Sequence, residues 1–333
     1  MTLADIDGVE LDSETTFADL TTLRIGGSPL VTVHCASSQA AIEALTVLDD
    51  ASQDYLVVGG GSNLVVAEGP RDVVVVRLDF EDIDASVASG IVRAEAGAVW
   101  DDVVALSVEC GLGGIECLSG IPGNAGAVPV QNVGAYGAET SDVLTQVYLY
   151  DRSTRTASWV PAADLELSYR YSNLKFTGRG VAEVRAQVLQ LRRSKGMVLD
   201  PEDHDTWSAG SFFTNPIVES QVADSIQDTV RAARGDEDAD RMPRHVVGGS
   251  ASEKREKLSA AWLIERAGFA KGYPGADSGA RATLSTKHTL ALTNRGEATA
   301  DDIVALAREI RAGVQKAFGV TLEPEPIWLG VEI

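Results

Sequence analysis

The 333-residue sequence is poor in the side chains that hold metal ions or form disulfides. It has four histidines and three cysteines, Cys35, Cys110 and Cys117. The cysteines are odd in number, lack C-x-x-C spacing and have apolar neighbours, so we expect buried structural thiols. Because no two histidines have the spacing of a ligand pair, the sequence predicts no metal site.

Basic residues are also scarce, with 28 lysines and arginines against 49 aspartates and glutamates and a formal net charge of −21 at pH 7. A surface of this charge repels nucleic-acid backbones and anionic membranes, so we expect neither as a partner. If a ligand is itself anionic, its site must be locally basic or rich in backbone N–H donors.

Long apolar stretches are missing as well. No run approaches the roughly 20 residues that cross a bilayer, and residues 1–7 lack the basic and apolar regions of a signal peptide. An apolar content of 44% is nevertheless enough for a sizeable core. These observations predict a cytoplasmic globular protein of two or three domains.

The first third of the chain alternates strand-like and helix-like patterns, which indicates a small α/β unit. Strands are predicted at residues 31–34, 55–58, 73–78 and 91–96, and apolar residues at 42, 45 and 48 predict a helix. A second helix is predicted from Val99, Val103, Leu106 and Cys110, which share one face before Gly111 ends it.

The last third contains the strongest helix pattern. Thr299 and Asp302 resemble a capping box, and a regular apolar face then runs to Phe318, with Gly319 as the stop. Before it, residues 147–150 are predicted to form a strand and residues 151–156 a turn. Residues 234–252 are charged and low in apolar side chains, so we expect an exposed excursion there.

Two glycine-rich segments carry the strongest signal for a ligand. Residues 119–137 hold five glycines and two prolines without a charge, and residues 57–66 run from a strand through three glycines to Ser62 and Asn63. Glycines let backbone N–H groups approach an anionic or planar ligand. The second segment is neither a Walker A loop nor a Rossmann fingerprint. For residues 119–137 the alternative is a plain coil between two strands, and for residues 57–66 it is a glycine-rich hairpin turn.

Two such loops in one α/β domain favour a cofactor with both a diphosphate and a planar ring. Together with five further motifs they resemble the UDP-N-acetylenolpyruvoylglucosamine reductase (MurB) family, in the right order over nearly the whole chain. The motifs are TLRIGG at 22–27, GGGSN at 59–63, the 119–137 loop, YRYS at 169–172, AGSFFTNP at 209–216, STKH at 285–288 and LEPE at 322–325.

The resemblance implies an α+β fold. It implies a two-subdomain FAD-binding domain of the vanillyl-alcohol oxidase (PCMH) type at residues 1–192, divided at about residue 80. A smaller α+β substrate-binding domain would follow at residues 193–333, and its final strand would return Glu325 to the active site.

The resemblance also implies a reaction. In the family, NADPH reduces FAD, and a hydride then passes from flavin N5 to C3 of the enolpyruvyl group of UDP-N-acetylglucosamine enolpyruvate. The product is UDP-N-acetylmuramate, a precursor of peptidoglycan. We therefore expect FAD as cofactor, NADPH as co-substrate, a nucleotide-sugar substrate and a monomeric protein.

The family's functional residues map onto this sequence by motif. Arg170 matches the catalytic arginine, Ser211 the proton donor and Glu325 the glutamate that orients the substrate carboxyl group, with Glu323 as the alternative register. The implied FAD contacts are Gly59, Gly60, Gly61, Ser62, Asn63, Ile121, Pro122, Gly123, Gly126, Gln131, Asn132, Gly134, Ala135 and Tyr136. The implied substrate contacts are Tyr169, Lys195, Asn215 and His288.

The sequence departs from the family pattern after Phe176. There Val181, Val184, Val188 and Leu191 have helical spacing where the family has a strand, and the family's substrate-closing tyrosine loop has no counterpart. We predict a deletion at this point. Two other functions therefore stay open, a flavin- or nucleotide-sugar-binding protein with impaired turnover and another oxidoreductase of the same flavin superfamily.

Overall fold

The computed structural model describes residues 2–152, 154–165, 192, 195–247 and 254–333. The predicted site residues Tyr169 and Arg170, the predicted helix at 181–191 and the shortened segment after Phe176 lie outside these residues. The strands, numbered in chain order, are β1 Val9–Asp12, β2 Val31–Cys35, β3 Tyr55–Val57, β4 Leu64–Val66, β5 Val74–Leu78, β6 Ile83–Ser86, β7 Ile91–Ala94, β8 Gly134–Ala135, β9 Ala138–Glu139, β10 Gln146–Asp151, β11 Thr156–Pro161, β12 Ile217–Glu219, β13 Arg244–Val246, β14 Arg255–Leu258, β15 Ala282–Leu284, β16 Leu292–Asn294 and β17 Ile327–Leu329. The α-helices are α1 Phe17–Leu20, α2 Ser38–Asp50, α3 Trp100–Glu109, α4 Ser220–Arg234, α5 Asp236–Asp240, α6 Ala260–Arg266 and α7 Ala300–Phe318.

The chain forms two compact units. The first contains Met1–Leu20, Gly27–Ser62 and Gly69–Val198. The second contains Thr21–Gly26, Asn63–Glu68 and Leu199–Ile333.

A four-stranded sheet organises the start of the first unit, with strand order β1-β2-β5-β3. Strands β2, β5 and β3 are parallel and β1 is antiparallel to β2. Helix α2 makes the crossover from β2 to β3; it begins where the Ser37 hydroxyl accepts a hydrogen bond from Ala40 N at 3.1 Å. It buries Ala40, Ala44 and Leu48 in one apolar core with the sheet. The strands and helix predicted here are confirmed.

Helix α3 organises the second apolar core of the first unit. The helix and its stop at Gly111 are confirmed, but its predicted face is wrong by one position. Val99 precedes the helix in an extended conformation and is 46% exposed, whereas Trp100, Val103 and Val104 are buried. Because the helix begins at Trp100, the buried stripe follows i, i+3, i+4 from that residue.

The second unit has its own core, around helix α7. The predicted capping box is present: Thr299 Oγ1 accepts from Asp302 N, and the Asp302 carboxylate accepts from Thr299 N at 2.8 Å. The helix buries Ile303, Ala307 and Ile310, among others, and ends before Gly319, which is left-handed at φ 69°. Its sheets have the strand orders β12-β14-β13, β15-β16 and β17-β4.

For the described part of residues 234–252, most side chains are exposed as predicted, but the prediction that no core element lies there is wrong. Helix α5 and strand β13 lie there, Ala239 and Met242 are buried, and β13 pairs with β14. Single apolar residues within a charged sequence anchor this part, and a composition average does not detect them. In the same unit the Arg244 guanidinium donates to the Glu256 carboxylate at 2.7 and 2.8 Å.

All three cysteines are free, as predicted. Cys35 and Cys117 are buried, and this burial raises the pKa of each thiol to about 11. Cys110 is half-buried rather than buried. Within the described ranges, no cluster of three histidine, cysteine or carboxylate side chains could hold a metal ion. None of the helices in those ranges is long and apolar enough to span a membrane.

Candidate functional site

The glycines at 59–61 connect two strands that do not pair with each other. Strand β3 pairs with β5, and β4 pairs with β17, so the hairpin alternative is wrong. Among the described residues, the backbone N–H groups of Gly59 to Ser62 donate no hydrogen bond, and Arg77 donates to the Gly59 carbonyl oxygen. Successive free N–H groups in a tight turn suit an anionic group such as a diphosphate.

The second glycine-rich segment packs directly on the first, within the same unit. The Ser62 hydroxyl donates to the Pro122 carbonyl oxygen at 3.1 Å. A Cβ on Gly60 would lie 2.8 Å from the Gly123 Cα, at the contact between the two segments. A Cβ on Gly126 would lie 2.7 Å from the Cβ of Ala96, which is outside the first segment. The glycines are therefore needed for the close approach of two backbones. The segment is not coil throughout, because Ala125–Ala127 and Pro129–Gln131 form 3₁₀-helical turns and β8 follows.

Asn132 shapes this loop from within. It has a left-handed backbone at φ 43° and is buried. Its Nδ2 donates to Glu139 Oε2 at 2.9 Å and its Oδ1 accepts from Ser141 N at 2.9 Å. These bonds tie Asn132 to β9 and to the 3₁₀ turn Thr140–Asp142 that follows it, so the Asn132 side chain supports the loop's shape.

Two basic side chains lie beside Tyr136 in the first unit. The Lys195 Nζ is 5.6 Å from the centre of the Tyr136 ring. Arg192 is only 8% exposed; its Nη2 donates to the Met197 carbonyl oxygen at 3.1 Å, and its Nε has no partner among the described residues. Burial lowers the pKa of Arg192, and burial raises the pKa of Tyr136 against the opposing charge of Arg192.

Arg192 was not among the residues selected from the sequence. A buried guanidinium with an unsatisfied N–H is costly unless a ligand or a neighbouring charge compensates it. The signal was the cluster of basic residues at 192–195 in a strongly acidic chain. Of that cluster, only Lys195 was selected as a site residue.

In the second unit, the segment bearing Ser211 is hydrogen-bonded to two other predicted site segments. Phe212 N donates to the Leu290 carbonyl oxygen at 2.8 Å, and Glu325 N donates to the Phe212 carbonyl oxygen at 2.9 Å. Thr214 N donates to the Glu323 carbonyl oxygen at 2.9 Å. The turn bearing His288 and the strand-like segment bearing Glu325 are thus both hydrogen-bonded to the residue that follows Ser211, and Phe212 and Phe213 are buried there.

Glu323 and Glu325 differ in their surroundings. Glu325 is half-buried, whereas the Glu323 side chain is 67% exposed and lies 3.6 Å from the Arg311 guanidinium. The geometry therefore favours the register that uses Glu325. Asn215, another predicted substrate contact of this unit, is exposed, and its Oδ1 accepts from Ala260 N at 2.9 Å at the start of α6.

Comparison with known proteins decides the family. The family model described as the C-terminal domain of UDP-N-acetylenolpyruvoylglucosamine reductase matches residues 200–329, and that of an FAD binding domain matches residues 29–157. UDP-N-acetylenolpyruvoylglucosamine reductase 2 of Corynebacterium glutamicum is 57% identical, over 99% of this chain and 97% of that protein. The chain belongs to the UDP-N-acetylenolpyruvoylglucosamine reductase family.

Other members of the reductase family agree with this assignment. The Mycobacterium tuberculosis reductase is 46% identical over 97% of this chain and 96% of its own length. The crystal structure of the Thermus caldophilus reductase has a TM-score of 0.62 at 23% identity, covering 96% of this chain and 98% of that one. The predicted α+β fold, an FAD-binding domain followed by the family's C-terminal domain, is confirmed. The domain boundary at residue 192 stays a prediction.

This member of the reductase family is short relative to its Corynebacterium counterpart. Their alignment extends over 370 positions, which exceeds the 333 residues of this chain by 37. At least that many aligned positions therefore have no counterpart residue here. That the shortening lies after Phe176 stays a prediction.

Proposed function

We propose that this protein is an FAD-dependent reductase that uses NADPH to convert UDP-N-acetylglucosamine enolpyruvate to UDP-N-acetylmuramate. The observation that supports it most directly is that the segments of His288 and Glu325 both hydrogen-bond to the residue next to Ser211, in a chain 57% identical to a protein of that name. A proton donor, a carboxylate and a ring nitrogen on adjacent backbone segments suit a substrate that gains a proton after hydride addition.

The first unit is proposed to hold FAD. The free N–H groups of Gly59 to Ser62 are suited to its diphosphate, and the 119–137 loop, packed against them, to its ring system. When bound, the flavin supplies hydride transfer, which no protein side chain can provide. The buried Arg192 guanidinium beside Tyr136 would give this acidic protein the local positive charge that an anionic ligand needs.

The second unit is proposed to act on the substrate. The Ser211 hydroxyl, half-buried between rigid neighbours, would donate the proton to C2. Glu325 would orient the substrate carboxyl group, and His288 and Asn215 would contact the nucleotide sugar. Three residues outside the second unit complete the proposed roles: Arg170 would stabilise the substrate carboxylate as electron density builds on it, and Tyr169 and Lys195 would contact substrate.

Anaerobic half-reactions test this proposal. NADPH should bleach the flavin absorbance, and the enolpyruvyl nucleotide should restore it. UDP-N-acetylglucosamine without the enolpyruvyl group is the matched control and should leave the flavin reduced. Reoxidation by oxygen but not by the enolpyruvyl nucleotide would instead indicate another oxidoreductase of the superfamily, and binding without reoxidation would indicate a binding protein.

Two finer expectations complete the proposal. We infer that the protein works as a monomer and in the cytoplasm, where NADPH and nucleotide sugars are available. Analytical ultracentrifugation of the FAD-loaded protein and cell fractionation test them. A stable dimer or a membrane-bound fraction would contradict them.

A further inference from the structure

A buried carboxylate that the sequence did not single out contacts the turn bearing His288. The side chain of Asp205 is only 7% exposed. Its Oδ1 accepts from Thr286 N and from Arg295 Nη1, both at 2.9 Å, and its Oδ2 accepts from the Thr286 hydroxyl. Burial alone would raise the pKa of Asp205, but the bonds from Thr286 and Arg295 outweigh it, and the pKa lies below its ordinary value.

The neighbouring residues strengthen the same contact. Asp203 accepts from Asp205 N at 3.0 Å and from the Lys287 ammonium group. Within the turn, the fully buried Ser285 hydroxyl oxygen accepts from Lys287 N at 3.0 Å and from His288 N at 3.3 Å. Two carboxylates on residues 203–205 thus hold two successive residues of the turn by charged or buried hydrogen bonds.

The turn bearing His288 also contacts the segment bearing Ser211. Ala291 N donates to the His288 carbonyl oxygen at 3.1 Å. The carbonyl oxygen of Leu290, two residues after His288, accepts from Phe212 N at 2.8 Å. A shift of the turn would therefore move both the His288 side chain and the backbone next to Ser211. Displacements of about 1 Å in such groups lower rates by about 100-fold.

We propose that Asp205 is a positioning residue that holds His288 and Ser211 in place for the substrate half of the reaction. This inference rests on the proposed function of Ser211. Asp205 contacts neither the predicted proton donor nor the predicted cofactor residues, so it acts through Thr286. A carboxylate is suited to this task because its two oxygens accept three hydrogen bonds from one N–H, one hydroxyl and one guanidinium group.

Asp205→Asn removes the charge and keeps the shape. The rate of flavin reduction by NADPH should change less than twofold, while reoxidation by the enolpyruvyl nucleotide should slow by about 10- to 100-fold. Asp238→Asn is the matched control. Asp238 also pairs with an arginine of the second unit, Arg266, but contacts none of the predicted site segments, so both rates should stay near wild type.

Milder variants guard against loss of folding. Thr286→Val removes one hydroxyl donor to Asp205 and should slow reoxidation severalfold, and Thr286→Ser should restore it. In the NMR spectrum, the imidazole signals of His288, assigned with His288→Gln, should shift in Asp205→Asn and stay in place in Asp238→Asn.

The outcomes separate the inference from the proposed function. A wild-type protein whose flavin is not reoxidised by the enolpyruvyl nucleotide overturns the proposed function and this inference with it. A working wild type with unimpaired reoxidation in Asp205→Asn overturns the inference alone. Equal slowing of both half-reactions, or an unshifted His288 signal, also overturns it.

Discussion

The backbone N–H of Glu325 donates to the carbonyl oxygen of Phe212 at 2.9 Å, which places Glu325 beside the segment of Ser211. These two predicted catalytic residues come from distant parts of the sequence. Their proximity depends on the single bridge between Phe213 and Pro324 and the bonds on each side of it. The predictions for the second unit begin from this pairing.

Ser211→Ala tests the proton donor. We expect flavin reduction by NADPH to be unchanged and reoxidation by the enolpyruvyl nucleotide to slow by about 10²- to 10⁴-fold, because a positioned proton donor contributes about that much. Stopped-flow absorbance measures each half-reaction. Ser278→Ala, which removes a hydroxyl that bonds only locally in an exposed turn, is the control. Equal slowing of both half-reactions would show that Ser211 has another role.

Glu325→Gln and Glu323→Gln form a matched pair. Glu325→Gln should lower the rate of substrate-dependent reoxidation by about 100-fold, because it removes the carboxylate of the residue whose backbone is hydrogen-bonded to the Ser211 segment. Glu323→Gln should leave that rate unchanged, since it removes only an exposed charge near Arg311. Single-turnover kinetics distinguish the two residues. The reverse order of effects would assign the role to Glu323.

Gly60→Ala tests the contact between the two glycine-rich loops. The added methyl group would meet the Gly123 backbone at 2.8 Å, so the loops must separate and FAD should bind more weakly. The visible flavin absorbance per protein, followed during dialysis, measures the loss. Gly90→Ala is the control: Gly90 has φ 72° in the β6–β7 turn, with open space around it. It should cost about 1 kcal/mol of stability and leave FAD content unchanged.

Glu256→Gln tests the ion pair in the second unit. Hydrogen bonds from Arg244 lower the pKa of Glu256 to about 2 from an ordinary value of 4.5. The stability that this carboxylate contributes is therefore complete above pH 4.5 and is lost as the pH falls toward 2, and about 2 kcal/mol should be lost between pH 6 and pH 3. Urea unfolding of wild type and variant at both values measures it. A difference between the two proteins that does not change with pH would contradict the assignment.

Local patterns in the sequence were sufficient for the elements with the clearest periodicity. The strands and helix of residues 31–78 follow from alternation and helical spacing, and α7 follows from its capping box, apolar stripe and terminal glycine. The buried face of α3 was missed by one residue, because the start of a helix with no side-chain cap cannot be located from apolar spacing alone. In residues 234–247 the exposed surface was predicted but the helix and strand were missed, since only two buried apolar residues anchor this charged stretch.

Some residues of the candidate site were predicted from the sequence, and others were found only in the structure. Family motifs in the sequence pointed to Ser211, Glu325 and the glycine-rich loops, because these residues belong to short and specific patterns. Arg192 and Asp205 were missed because a charged residue is normally exposed, and only burial and partners distinguish these two. Neither property can be read from neighbours in the sequence.

By itself the sequence determined the family, the chemistry class of its glycine-rich loops and the positions of its most strongly patterned helices and strands, because these depend on residue type and local spacing. Only the tertiary structure decided which residues meet. It packed Gly60 on Gly123, placed Glu325 next to Phe212 and buried Asp205 against Thr286. Such contacts depend on the register between segments far apart in the chain, which is fixed by core packing and backbone hydrogen bonds formed on folding.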